Sequence, residues 1–173
     1  TAPIPIDLAR SQLLASIDAI AATEIISLDE SCGRIAAETI TSLIDLPRTH
    51  NAAVDGYAVH ADFLAAHPAH AFTVVGRAAA GHPFSGTVAE GEAIKIFTGA
   101  IMPNGPDAVA MHEQCRINET DGTVHIDTNL TPGSNSRPAG ENIRIGETIV
   151  AGGTRLGPTD IGIAVASGHA ALS

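Results

Sequence analysis

Asp55 is the one carboxylate in THNAAVDGYAVH, the stretch 49–60, whose other residues are mostly small and apolar. A carboxylate that is buried without a partner is costly, and a solvated one does not need apolar neighbours on both sides. Gly56 follows directly and gives the backbone freedom to turn. The pattern predicts a shaped turn that aims Asp55 at a ligand. A turn in which Asp55 serves only its own backbone is the alternative.

Two further stretches carry polar side chains beside apolar runs. IFTGAIMPNGPDAVAMHEQ (96–114) places Thr98 and Gly99 at the end of a strand-like run, and PAGENIRIGE (138–147) contains Glu141. Taken singly, each has an ordinary explanation: a strand end in the first stretch and a solvated loop charge in the second. Their order and spacing along the chain make them more specific together.

The three stretches together resemble the molybdopterin molybdotransferase family, which includes MoeA and the gephyrin E domain. Members of that family read N-S-A-M-D-G-Y-A-V, then I-x-T-G-A-x-x-P-x-G-x-D-A-V-V-x-x-E, then G-E-D-I-x-x-G. The chain has NAAVDGYAV, IFTGAIMPNGPDAVAMHEQ and GENIRIG in the same order. The flanking segments SLDESCGRIAAETITSLIDLP and GGTRLGPTDIGIAVASG are similar as well, so the resemblance covers nearly the whole chain.

The resemblance implies an enzyme of molybdenum cofactor biosynthesis. Such transferases receive adenylylated molybdopterin, with a molybdopterin adenylyltransferase as partner, release AMP in a Mg²⁺-assisted step and insert molybdate. The resemblance also implies an elongated homodimer, in which the cleft lies between the N-terminal lobes of one subunit and the central domain of the other.

The residues that the resemblance places in the cleft are Asp55, Thr98, Glu141 and Asn142, and the chemistry of their neighbours adds Gly99 and Arg137. Asp55, Thr98 and Glu141 would be catalytic, and the two carboxylates would hold Mg²⁺ through oxygen ligands. Gly99 would let substrate approach the backbone. Arg137 would be the fixed cation for a phosphate or pterin edge.

Substitutions within the motifs distinguish the chain from the family pattern. Ala52 and Val54 replace a serine and a methionine, and Asn142 replaces the aspartate of G-E-D. Asn142 can still hydrogen-bond and contact substrate, but it brings no negative charge and is a weaker Mg²⁺ ligand.

The chain stops at ASGHAALS, where the family continues into a central domain. We therefore expect the N-terminal and linker lobes of a larger enzyme, incomplete and inactive alone. The alternative is a non-catalytic interaction or scaffold module of cofactor assembly, which Ala52 and Asn142 favour.

Composition excludes several other classes of protein. The net charge of −10 arises from 19 acidic residues against one lysine and eight arginines, which argues against nucleic acid as a partner. No apolar run approaches the roughly 18 residues of a membrane span, and the N-terminus lacks a secretory signal. Cys32 and Cys115 have no CxxC spacing, so a reduced, cytoplasmic setting is expected.

The elements that position these residues are predicted to be short strands and a few helices. Asp121-Gly122 is a hairpin turn signal. Runs of β-branched residues predict strands over 71–76, 93–99, 107–113, 123–127 and 147–153.

Two helices are predicted near the N-terminus. Leu13, Ile17 and Ile20 recur at helical spacing after Asp7, which would be the N-cap. A capping-box pattern, Ser-Leu-Asp-Glu, predicts a second, short helix within 27–34.

A last helix is predicted from 159 to a stop at Gly168, so that helices flank a β-rich middle. This order indicates an α+β fold, mostly antiparallel and irregular, and not alternating βαβ units. We expect a β-rich lobe, 45–138, inserted between the segments 1–44 and 139–173, which together form a linker lobe with the N-terminal helices.

Overall fold

The computed structural model describes residues 3–18 and 20–173 of the chain. Within them lie the helices α1 (Ile6–Ala15), α2 (Ala61–Ala66) and α3 (Pro158–Ala166), and single 3₁₀ turns at Leu28–Glu30 and His112–Gln114. The strands are β1 (Ile26–Ser27), β2 (Ile40–Thr41), β3 (Asn51–Ala52), β4 (Gly56–Val59), β5 (Ala71–Ala78), β6 (Glu92–Ile96), β7 (Ala108–Met111), β8 (Cys115–Asn118), β9 (Thr123–Ile126), β10 (Ser136–Arg137), β11 (Thr148–Val150) and β12 (Ala171–Leu172).

A six-stranded sheet in the order β7-β4-β6-β5-β9-β8 forms the largest part of the fold. Its strands pair antiparallel except for β5 and β6, which are parallel. Three two-stranded antiparallel sheets join β1 to β12, β2 to β11 and β3 to β10. The predicted α+β, mostly antiparallel fold is confirmed.

The predicted strands are confirmed as β5, β6, β7, β9 and β11, with ends that differ from the prediction by up to three residues. The hairpin turn at Asp121-Gly122 is confirmed too, because β8 and β9 pair on either side of it, with Asn118 opposite Thr123.

Strand β4 was not predicted, because all of its residues are apolar or lack a side chain. It has residues packed on both of its faces: Tyr57 and Val59 belong to a buried cluster with Phe72, and Ala58 to another cluster with Ile94. A strand covered on both faces has no alternation of polar and apolar residues, which is the usual signature in a sequence.

Gly56 opens β4 at a point where two strands come very close. A Cβ atom placed there would lie 1.8 Å from the carbonyl oxygen of Ala110 on β7. The residue after Asp55 is therefore glycine because β7 occupies the space of a side chain.

A second core lies where the beginning and the end of the described chain meet. Ile26 on β1 is paired with Leu172 on β12. The buried residues of this core come from both chain segments: Leu28, Ala36, Ile40, Val150, Leu156, Ala164 and Leu172. The predicted division of the chain into lobes at 45 and 138 stays a prediction.

The first helix is confirmed, but its predicted N-cap is wrong. Pro5 occupies the N-cap position of α1, so Asp7 lies in the first turn. The helix ends at Ala15, before Ile17 and Ile20, and none of its residues is buried. The apolar spacing in the sequence continues to Ile20, but Ile17 and Ile20 are exposed. Without tertiary packing of these side chains, the helix is not extended over them.

The predicted short helix within 27–34 is wrong. The chain makes a single 3₁₀ turn over Leu28–Glu30, and the Ser27 hydroxyl donates to the Glu30 carboxylate instead of capping the backbone.

The last helix, α3, is confirmed. Asp160 accepts a hydrogen bond of 2.8 Å from the Gly157 N–H at its start, and Gly168 follows its end with a φ of +96°. None of the helices within residues 3–18 and 20–173 has the length and apolar character of a membrane-spanning helix.

Candidate functional site

The two-residue strand β3 connects the first sequence motif, through its backbone, to the second motif and to the arginine before the third. The Ala52 N–H donates to the Ala100 carbonyl at 2.8 Å, and the Gly99 N–H donates to the Ala52 carbonyl at 2.9 Å. On the other side of β3, Asn51 pairs with Arg137 of β10. Residues that are far apart in sequence therefore meet at one short strand.

Asp55 lies between β3 and β4 and is bound by Thr98, which follows the end of β6. One oxygen of Asp55, Oδ1, accepts a hydrogen bond from the Thr98 N–H at 2.7 Å and another from the Thr98 hydroxyl at 2.6 Å. The Asp55 carbonyl accepts from the His112 N–H at 3.1 Å. Both the side chain and the backbone of Asp55 are thus held in place by residues of the second motif.

The hydrogen bond from the Thr98 hydroxyl, followed by the one from the Thr98 N–H, lowers the pKa of Asp55. The nearby His112 lowers the pKa of this carboxyl further and burial opposes the shift, both to a smaller extent. Hydrogen bonds to a carboxylate favour its charged form. Asp55 is therefore a solvent-exposed, ionised carboxylate at neutral pH with a fixed orientation.

A recess of about 290 Å³ opens beside this pair. Its lining residues come from the end of β6, the start of β4 and the 3₁₀ turn after β7: Asp55, Gly56, Lys95, Ile96, Phe97, His112 and Glu113. The sequence prediction did not include Lys95 or Phe97. A signal was available, since Lys95 is the only lysine of the chain and lies three residues before Thr98.

Arg137, Glu141 and Asn142 form a second cluster, in which the arginine contacts the other two. Arg137 Nε donates to Glu141 Oε2 at 2.5 Å, and Arg137 Nη2 donates to Asn142 Oδ1 at 2.9 Å. All three residues are exposed, so the ion pair contributes at most about 1 kcal/mol to stability. In the described part of the chain, no hydrogen bond links this cluster to Asp55 or Thr98.

Gly99 has a φ of +80°, in the left-handed region that favours glycine. A Cβ atom added at Gly99 would lie 3.9 Å from the Cβ of Ala80, which is an ordinary van der Waals distance. The glycine is therefore required by the turn after β6, and the space beside its backbone is open.

The carboxylates differ in how well they fit Mg²⁺. No group of three or more His, Cys, Asp or Glu side chains comes together as a metal site within residues 3–18 and 20–173. Mg²⁺ is often bound by one or two carboxylates together with substrate phosphates. Asp55 fits that mode, because it is exposed and, among the described residues, only Thr98 hydrogen-bonds its carboxylate. Glu141 fits it less well, because Arg137 already neutralises its charge.

The chain matches the family model of the MoeA N-terminal region (domain I and II) over residues 4–168. It is 36% identical over 167 residues to a molybdopterin molybdenumtransferase of Haemophilus influenzae, covering 96% of this chain and 41% of that protein. It is 35% identical over 160 residues to a molybdopterin molybdenumtransferase of a Nostoc species, covering 90% of this chain and 36% of that protein.

A solved structure of the molybdopterin biosynthesis MoeA protein from Pyrococcus horikoshii has the same fold. It superposes with a TM-score of 0.88 at 33% sequence identity, covering 98% of this chain and 45% of that one. The chain thus spans about two fifths of the length of these relatives.

Proposed function

The chain belongs to the family of the MoeA N-terminal region, and we propose that it acts in molybdenum cofactor biosynthesis as the N-terminal part of a molybdopterin molybdenumtransferase. The reaction would insert molybdate into adenylylated molybdopterin with release of AMP. The observation that carries this proposal is the Asp55 carboxylate, which Thr98 holds ionised and oriented beside a recess of about 290 Å³.

Asp55 would act as an electrostatic clamp and as one oxygen ligand to Mg²⁺. When bound, Mg²⁺ supplies charge neutralisation for a phosphoanhydride. The Thr98 hydroxyl and N–H both donate hydrogen bonds to Asp55. The lone pairs of the hydroxyl oxygen can accept a hydrogen bond from a ligand. Gly99 leaves the backbone beside it open to the same ligand.

Arg137 would bind a phosphate or pterin edge from the side of β10. Glu141 and Asn142 hold its guanidinium through two different nitrogens. A guanidinium that is oriented in this way loses less conformational freedom when it binds an anion. Glu141 would therefore position Arg137 in addition to, or in place of, binding Mg²⁺.

The rest of the active site would come from another part of the enzyme. We infer a homodimer in which the central domain of one subunit completes the cleft of the other, and a molybdopterin adenylyltransferase that supplies the substrate. The site would work in the cytoplasm, without nucleic acid or membrane as a partner.

Asp55→Ala in the native gene product tests the role of the carboxylate. We expect molybdenum insertion to fall by about 100-fold or more, because a fixed charge at the reacting group is lost. Asp62→Asn is the matched control, since Asp62 is an exposed carboxylate on α2. Unchanged insertion by Asp55→Ala would overturn the assignment.

A non-catalytic scaffold is the second candidate function. The ion pair between Glu141 and Arg137 favours it, because a carboxylate neutralised in this way is a poor metal ligand. The intact mass of the native gene product separates the two candidates. A mass far above 17.6 kDa supports the transferase, and a mass near 17.6 kDa supports the scaffold.

A further inference from the structure

Two cations lie over one aromatic ring near the C-terminal ends of β5 and β6, the central strands of the six-stranded sheet. Arg77 on β5 is directly opposite Lys95 on the parallel strand β6. The Arg77 Cζ is 4.6 Å and the Lys95 Nζ is 5.8 Å from the centroid of the Phe97 ring. Both distances lie within the range of cation–π attraction, so the ring orients the two charges.

The Phe97 ring orients Arg77 and Lys95 without neutralising them. Within residues 3–18 and 20–173, neither cation has a carboxylate partner within 4.0 Å, although the chain carries 19 acidic residues. Like charges at directly opposite positions of neighbouring strands repel each other. A bound anion would relieve this repulsion.

The two cations border the candidate site. Lys95 and Phe97 line the recess that contains Asp55, and Phe97 directly precedes Thr98. Arg77 lines a separate depression of about 350 Å³ together with His82, and its guanidinium reaches the Phe97 ring of the recess. The carboxylates of Asp55 and Glu113 would repel an anion from their part of the recess, which leaves for it the part around Lys95 and the Phe97 ring, over which Arg77 also lies.

We propose that Arg77 and Lys95, held over Phe97, bind a tetrahedral oxyanion next to the Asp55–Thr98 pair. A nucleotide phosphate and molybdate share this chemistry. An arginine can contact two oxygens of such a group at once, while a lysine acts as a point charge. The inference rests on the proposed function, because it assigns the substrate's anionic group to one wall of the same site.

The proposal is tested with ¹H–¹⁵N spectra of the 173-residue chain during separate titrations with AMP and with sodium molybdate. We expect shifts of the backbone amides of Arg77, Lys95, Phe97 and Thr98. In the double variant Arg77→Gln/Lys95→Gln the apparent Kd should rise by about tenfold or more, because two charge-assisted contacts are lost.

Arg10→Gln is the matched control, since it removes one exposed positive charge from α1. Arg77→Lys keeps the charge and should bind more tightly than Arg77→Gln. Shifts with AMP alone identify the phosphate as the source of the oxyanion, and shifts with both ligands identify a general oxyanion site. The absence of shifts at these amides, or an equal loss in Arg10→Gln and Arg77→Gln, would overturn the proposal.

The outcomes for the oxyanion site and for the proposed function can be told apart. A native gene product that inserts no molybdenum, with a chain that still binds AMP through Arg77 and Lys95, would end the proposed function alone. An active native enzyme whose chain binds neither ligand would end the oxyanion site alone.

Discussion

Asp55 and Thr98 are 43 residues apart in the chain, yet a single threonine provides both hydrogen bonds to the carboxylate. The Thr98 N–H and the Thr98 hydroxyl both donate to the same oxygen, Asp55 Oδ1. The hydroxyl and the backbone N–H of Thr98 therefore both favour the ionised form of Asp55. Substitution of Thr98 by valine removes the hydroxyl and keeps the N–H, so it tests the hydroxyl alone.

Thr98→Val should raise the pKa of Asp55 towards its ordinary value, because the hydroxyl bond is the largest cause of the lowered pKa. When the pKa of a carboxyl is lower in the folded than in the unfolded state, the group stabilises the fold at pH values above the unfolded-state pKa of about 3.9. This contribution disappears as the pH falls through the folded-state pKa. The stability difference between wild type and Thr98→Val should therefore shrink below about pH 4.

Carboxyl ¹³C chemical shifts measured as a function of pH check this prediction. Thr98→Ser keeps the hydroxyl and should keep the low pKa of Asp55. Asp127 serves as an internal reference, because hydrogen bonding from Arg116 lowers its pKa independently of Thr98. An unchanged pKa of Asp55 in Thr98→Val would contradict the prediction.

The two cysteines should differ strongly in reactivity. Burial, followed by the charges of Asp127 and Glu113, raises the pKa of Cys115 to about 11. Cys32 is exposed. Since the thiolate is the reactive form, we expect Cys32 to react quickly with a disulfide reagent at pH 8 and Cys115 to react only after unfolding. A fast reaction in Cys32→Ser would show that Cys115 is accessible.

At the scale of elements, the sequence predicted those strands that show their own local pattern. β5 and β9 are rich in β-branched residues and carry polar residues on one face, which is a signal that a single segment contains. β3 has two residues and β4 is buried on both faces, so neither has a periodicity to detect. Their existence depends on partners elsewhere in the chain.

The candidate site was predictable to the same extent. The three motifs were recognised together in the sequence, and Asp55 and Thr98 were named as candidate site residues. The hydrogen bonds from Thr98 to Asp55 were not predicted, because they require β3 and β4 to be paired with segments some 40 or more residues away. Arg77 and Lys95 were missed for a similar reason, since only the parallel pairing of β5 with β6 brings them together.

The close approach of β4 and β7 gives a prediction about stability. Gly56→Ala should destabilise the fold by about 3 kcal/mol or more, because the new Cβ would meet the Ala110 carbonyl at 1.8 Å and push the two strands apart. Urea unfolding measures this change.

Gly162→Ala is the control for Gly56→Ala. Gly162 lies in α3 with nothing within 4 Å of an added Cβ, so the change should stabilise the protein by about 0.5–1 kcal/mol. Equal unfolding midpoints for the two variants would show that β4 and β7 are not packed as closely as described.

Across the molecule as a unit, helix α1 contributes apolar surface, and none of its residues is buried in a core. Leu13 and Leu14 on α1 are 65% and 61% exposed. Leu13→Gln/Leu14→Gln should therefore change the free energy of unfolding by less than about 0.5 kcal/mol.

Leu64→Gln is the contrasting variant, because Leu64 lies on α2 and is only 3% exposed, with its side chain packed in the core. It should cost about 3 kcal/mol or more, through a lost apolar contact and a buried amide. Urea unfolding of both variants provides the measurement. A large loss of stability in Leu13→Gln/Leu14→Gln would mean that α1 supports the fold of this chain.

The pairing of β1 with β12 also decides how the molecule responds to tension. Ile26 faces Leu172, so the chain enters and leaves this small sheet at the same end. A force that pulls the residues before Ile26 away from those after Leu172 would act perpendicular to the two strands. It would load the hydrogen bonds of the antiparallel ladder one after another and not all at once. Such a junction yields at low force, while the strands of the six-stranded sheet would remain shielded until it had opened.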